Sequence, residues 1–220
     1  MTHYEGIPVE EFIRKSDFIR APKVTVIRGV DAKQYPDPNW AADEVLGVLR
    51  GEFKELQISD IQLSRYKILG NVSNDPDSKY FAPEDQLPLV ADSLADCDIA
   101  VLAVHERCGL PDSNTCRLIE RFGERVHERR DSGDAFIDSY MLFNRTPLIV
   151  VACGGYGAYN AALTLSGTLN KFGMITVRHG LVFHDKKRGN IKSDDPFSLS
   201  LNFAAREAAI TCKKLKKEHQ

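Results

Sequence analysis

The chain is predicted to be an α/β protein: a doubly wound, five-stranded, largely parallel sheet with helices on both faces. Three observations carry this expectation. An apolar run with no polar face lies at 148–152, as suits a strand buried on both sides, and further strand patterns lie at 23–27 and 98–104. Segments of helical periodicity lie between and after them, and such β-α alternation predicts parallel strands joined by crossover helices. The strongest run, Leu148-Ile149-Val150-Val151-Ala152, empties into Cys153-Gly154-Gly155-Tyr156-Gly157 and then an Ala- and Leu-rich stretch closed by Gly173. That is a buried strand, a glycine-rich turn, a helix and its C-terminal cap.

Taken in order, residues 1–22 form an N-terminal extension with a possible short helix over 9–18, ended by Pro22. The remainder, 23–220, is expected to be one domain. The first strand is 23–27, and a turn-rich stretch leads to a helix from Trp40 to Leu49. Asn39 is a credible N-cap, because its side chain can accept from an otherwise orphan N–H. A second strand is expected over 53–58. A long polar loop follows over 62–81, with a possible hairpin at 66–69. Next come a helix over 84–95, the strand 98–104 and its polar exit loop, His105-Glu106-Arg107-Cys108-Gly109. A helix follows over 114–129. The bridge 130–145 holds the aromatics Phe136, Tyr140 and Phe143, which suit core packing, a lid or a subunit contact. After the central strand and its helix, a last strand is expected at 174–177, with 180–183 continuing it or starting a new turn. A helix over 197–215 ends in lysines that complement its dipole.

Composition narrows the function classes. The net charge is -2 over 220 residues, so nucleic acid and anionic membrane surfaces have no electrostatic attraction to this chain. No apolar run approaches the roughly 20 residues that span a bilayer, and the polar start is unlike a signal peptide. A soluble cytoplasmic protein is expected. Five scattered cysteines, none paired at two-residue spacing, suit neither a zinc knuckle nor a disulfide framework. Cys97 and Cys153 fall in or beside strand patterns and read as core thiols. Cys108, in a polar loop, is the one open to suspicion of reactivity.

Three stretches together resemble the flavodoxin-like NAD(P)H-dependent FMN reductases. Ala95-Asp96-Cys97-Asp98-Ile99-Ala100-Val101-Leu102 opens the pattern, and Leu118-Ile119-Glu120-Arg121 closes it. Gly154-Gly155-Tyr156-Gly157 and Gly173-Met174 fill the positions of the family's next loop and strand start. The resemblance covers roughly residues 23–185. It implies a flavodoxin-like fold, FMN as cofactor, NAD(P)H as substrate and a homodimer or homotetramer. In the phosphate loop Gly29 and Asn39 match, while Val30, Ala32 and Trp40 stand where the family has Ser, Arg and Thr. Arg28 or Lys33 is then the candidate cation. In the flavin loop Arg107-Cys108 replaces the family's Tyr-Trp pair, and Gly109 is retained.

The cofactor-binding set expected from this is Arg28, Gly29, Asn39 and Trp40 for the phosphate, with His105, Glu106, Arg107, Cys108, Gly109, Gly154, Gly155, Tyr156 and Gly157 edging the ring. Hydride transfer from a nicotinamide to a flavin is the cofactors' own chemistry and needs no acid–base triad, which suits a sequence that displays none. Two alternatives stand beside it. Cys153, between strand and helix, could be the nucleophile of a hydrolase or transferase with His105 as base. The altered phosphate loop could also mark a non-catalytic assembly or regulatory subunit.

Overall fold

The computed structural model describes residues 21–69, 84–125, 143 and 145–218. Strands β1 (Lys23–Arg28), β2 (Gln57–Gln62), β3 (Ile99–Arg107), β5 (Pro147–Gly154) and β6 (Ile175–Asp185) form one parallel sheet in the order β2-β1-β3-β5-β6. The two-residue β4 (Leu110–Pro111) pairs antiparallel with β3. Among the described residues the sheet is flanked by helices α1 (Pro36–Glu52), α2 (Leu87–Ala95), α3 (Ser113–Glu120), α4 (Ala158–Lys171) and α5 (Asp195–Glu218). The expected doubly wound parallel sheet is present, in the order that makes β1 and β3 the topological switch point.

Alternation along the central strands supplies both cores. Val26, Val101 and Val151 point towards α1 and α5, where Val45, Leu49, Leu201 and Ala205 meet them. Leu102, Val104, Val150 and Ala152 point the other way, onto Leu94 of α2, Leu118 of α3 and Leu165 of α4. Phe143 is fully buried and meets Phe122 edge-to-face at 5.5 Å. Of the aromatics expected in the bridge 130–145, this one belongs to the core; Phe136 and Tyr140 lie outside the described residues, as does the 9–18 helix.

Several boundaries differ from expectation for identifiable reasons. Helix α1 starts at Pro36, with Tyr35 as N-cap. Asn39 is therefore inside the first turn and is not the cap. Proline is tolerated here because the first helical N–H groups have no partner within the helix and its φ is already helical. Strand β2 begins at Gln57 instead of Phe53, because α1 runs on to Glu52. Most of its side chains are polar and open to solvent, so apolar period carries little signal there. The described part of the 62–81 loop holds a 3-10 turn, Leu63–Arg65, where a hairpin was expected nearby. Strand β6 is continuous but bulged: Leu148 faces Thr176, and Val150 faces Leu181. At the bulge a Cβ on Gly180 would lie 2.6 Å from the Leu148 carbonyl oxygen, so glycine lets the backbones meet.

Candidate functional site

The carboxyl ends of β1, β3 and β5 lie side by side, as the register pairs Arg28 with Ala103 and His105 with Cys153 show. Strand β3 runs three residues past its expected end, so His105, Glu106 and Arg107 belong to the strand and not to a loop. Cys108 (φ 54°) and Gly109 (φ 82°) then reverse the chain into β4, the two-residue turn with both central φ values positive. Cys-Gly is a weak signature of such a turn, and the hairpin was not legible from sequence.

Glu106 joins this hairpin to the loop after β5. It is buried, and its Oε1 accepts from the Gly109 N–H at 2.5 Å while Oε2 accepts from the Gly155 N–H at 2.6 Å. The two loops touch. A Cβ on Gly157 would collide with the Gly109 backbone, and one on Gly154 would lie 2.7 Å from Glu106 Oε2. The loops therefore present one fused tip, with the Glu106 carboxylate between them. Glycine is needed at 154 and 157 for this contact.

At the neighbouring tip the expected phosphate residues serve other roles. The buried Arg28 guanidinium donates to Asp60 at 2.7 and 2.9 Å, to Asp43 at 2.7 Å and to the Asn39 carbonyl at 2.9 Å. Burial works against its charge, but the hydrogen bonds and charges of Asp60 and Asp43 outweigh it and raise its pKa. This fork ties β1, β2 and α1 together, and it is not a free cation for a ligand. Asn39 Nδ2 donates to the Val30 and Tyr35 carbonyls at 3.2 and 3.0 Å, holding the loop closed. Trp40 faces α5, with its ring 6.5 Å from that of Phe197. Gly29 sits against the Asp112 side chain, and its N–H donates to the Ala103 carbonyl at 3.0 Å. Asp112 caps α3 through Thr115, accepting from its N–H and its hydroxyl at 3.0 Å each. Burial raises the Asp112 pKa.

On the α1/α5 face, register neighbours His105, Cys153 and His184 form a row across the carboxyl edge. The Tyr35 ring covers His105 with centroids 4.1 Å apart. Burial, then the charge of Lys186, lowers the His105 pKa. Cys153 is 1% exposed, and burial, with Asp37 adding its charge, pushes its thiol well above the ordinary range. His184 Nε2 lies 3.5 Å from Asp194 Oδ2, and neither His184 ring nitrogen makes a hydrogen bond. No described histidine thus activates Cys153, and a buried thiol of raised pKa is a poor nucleophile. The expected Cys153–His105 enzyme is not supported. Cys108 is exposed and Tyr156 is 72% exposed, with Lys187 Nζ 3.9 Å above the Tyr156 ring centre.

The structure thus gathers His105 to Gly109 with Gly154 to Gly157, and withdraws Arg28, Asn39 and Trp40 into the scaffold. Tyr35, Asp37, Asp112 and Lys186 were missed at this edge. The Pro36-Asp37-Pro38 start of α1 could have signalled a helix end poor in N–H donors; the others meet only through the fold.

No protein-family model and no curated protein sequence matches the chain. Solved structures do. RosB with bound 8-demethyl-8-formylriboflavin-5'-phosphate superposes with a TM-score of 0.71 at 12% identity, over 90% of this chain and 81% of that one. An NADH:FMN oxidoreductase, EmoB, gives 0.61 at 13% identity over 87% and 90%. A WrbA-like flavodoxin from Agrobacterium tumefaciens gives 0.54 at 10% identity over 91% and 100%. The protein is an α/β protein of flavodoxin-like fold, and its structural neighbours include flavin-dependent reductases. Among the described residues no helix is long and apolar enough to cross a membrane.

Two surfaces at the carboxyl edge differ in what they would offer a flavin mononucleotide such as that in the names of the structural neighbours. The β3–β5 tip offers the exposed Tyr156, and beside it the half-buried Tyr35 ring covers His105. The β1–α1 tip does not fit a phosphate: Pro36 and Pro38 lack N–H groups, and the N–H groups of Lys33, Gln34 and Tyr35 all donate to Asp31. A phosphate needs free donors of this kind at a helix start.

Proposed function

We propose that this protein binds a flavin at the carboxyl edge of its sheet and acts as an NAD(P)H-dependent flavin oxidoreductase. The observation that carries this reading is the fused β3–β5 tip, held by Glu106 between Gly109 and Gly155. It gives a rigid rim beside the switch point between β1 and β3, where ligands of open α/β sheets sit. Tyr156 and the half-buried Tyr35, whose ring covers His105, supply aromatic faces beside it, and such faces suit a planar heterocycle. A bound flavin would supply the hydride chemistry. The chain's part is to orient the ring, and Glu106 does so indirectly by holding both loops.

The test is the visible absorption spectrum of the freshly purified protein, with titration of riboflavin and FMN followed by flavin fluorescence. Saturable quenching and bleaching of the bound flavin by NADH or NADPH are expected. A colourless protein that quenches neither flavin would overturn the proposal and favour a non-catalytic subunit, the reading that the donor-poor start of α1 supports.

A homodimer or homotetramer belongs to the same proposal. Leu110, Tyr156, Tyr159 and Leu163 are all about half or more exposed, and they flank one another along β4, the β5 loop and the first turns of α4. Grouped exposed apolar side chains of this kind favour association. Sedimentation equilibrium giving a strict monomer would end that part.

A further inference from the structure

The loop after β1 and the start of α1 carry negative charge where a nucleotide-type ligand would place its phosphate. Asp31 caps its own loop, its carboxylate accepting from Lys33 N–H at 2.7 Å and its carbonyl from Gln34 and Tyr35 N–H at 3.2 and 2.9 Å. Those three donors are turned inward. Pro36 and Pro38 remove two more from the first turn, and Asp37 stands between them. Asp37 lies in the first turn of α1, and its charge adds to burial in raising the pKa of Cys153. On the opposite wall the Asp112 carboxylate lies directly against Gly29.

The nearby cations do not reverse this. Arg28 is consumed by Asp43 and Asp60, and Lys33 is a single exposed side chain. Lys186, Lys187 and Arg188 follow β6, three strands from β1 in the sheet order; of them, Lys186 acts through its charge on His105, beneath Tyr35. Lys187 covers Tyr156, and Arg188 lies 3.9 Å from Asp194.

We infer that the site selects a flavin without a terminal phosphate, riboflavin in preference to FMN, because Asp31, Asp37 and Asp112 repel a phosphate at the β1–α1 tip. This rests on the flavin reading above and names the ligand class within it. A phosphate dianion at such a tip meets like charges and few N–H donors. The selectivity is therefore electrostatic and falls as salt screens it.

The experiment compares riboflavin with FMN by fluorescence quenching on the full chain, at low and at high sodium chloride. The expected result is a Kd for riboflavin at least about tenfold below that for FMN at low salt, narrowing as salt rises. Asp37→Asn and, separately, Asp31→Asn are expected to bring FMN closer to riboflavin, and circular dichroism checks that both variants fold. FMN binding as well as or better than riboflavin overturns the inference and leaves the flavin reading standing. A preference unmoved by salt and by both variants overturns the assignment to these carboxylates. Binding of neither flavin removes the reading on which the inference rests.

Discussion

Tyr35 lies over His105, ring centroids 4.1 Å apart and planes tilted by 31°. The contact joins the N-cap of α1 to the tip of β3, so it couples the start of a helix to the edge where a ligand is expected. It also keeps water from His105, and burial is the first cause of that histidine's lowered pKa. The folded state therefore binds its proton less readily than the unfolded chain. Stability is expected to be full above the unfolded histidine pKa, near 6.5, and to fall as pH drops from there to the folded value. Tyr35→Ala, by admitting water, and Lys186→Met, by removing a cation, should each move the His105 pKa back up. A proton NMR titration of the His105 ring checks both; a downward move in either variant would contradict the assigned causes.

Glu106 is expected to be worth more to stability than its place at the protein's rim suggests. Hydrogen bonds to a charged group contribute roughly 1.5–3 kcal/mol each, and Glu106 accepts two from different loops. Glu106→Ala should cost about 2–4 kcal/mol in urea unfolding. In amide hydrogen exchange, Gly109 and Gly155 should lose protection together.

Two glycines near each other in sequence should respond with opposite sign. Gly157→Ala places a Cβ 2.5 Å from Glu106 Oε1 and against the Gly109 backbone, and crowding of this kind costs about 1–3 kcal/mol. Gly167, inside α4, has nothing within 4 Å of its Cβ position, so Gly167→Ala should stabilise by about 0.5–1 kcal/mol. Thermal unfolding of the two variants beside the parent separates the effects.

Thiol chemistry should sort the cysteines by burial. Cys108 is exposed, while Cys97, Cys153 and Cys212 are buried, and burial pushes the Cys97 thiol up to about 12. In a disulfide-exchange assay on the native protein, Cys108 should react first, and Cys153 only after unfolding. Rapid native labelling of Cys153, mapped by peptide mass, would reopen the nucleophile reading.

The doubly wound order was legible because parallel strands buried on both faces need unbroken apolar runs, and Leu102, Val150 and their neighbours supply them. The edge strand β2 was misplaced because Gln57, Ser59 and Asp60 carry no apolar period. The glycine-rich tip at 154–157 was legible from spacing alone, and its partner loop from the resemblance. What the sequence did not reveal is which polar groups are already engaged. Arg28 looks like a ligand cation until Asp60, 32 positions along the chain, is found on it. Glu106 looks like a loop residue until its oxygens are found on Gly109 and Gly155. Such pairings depend on strand register, which no local pattern displays.

The interruption in β6 matters beyond the site. Strand β6 forms one border of the sheet, and its regular pairing with β5 breaks between Leu148 and Val150. An uninterrupted border eleven residues long would be a template for a stray strand from another molecule. A kinked border presents no such continuous ladder, so the bulge at Gly180 also guards the protein against edge-to-edge aggregation.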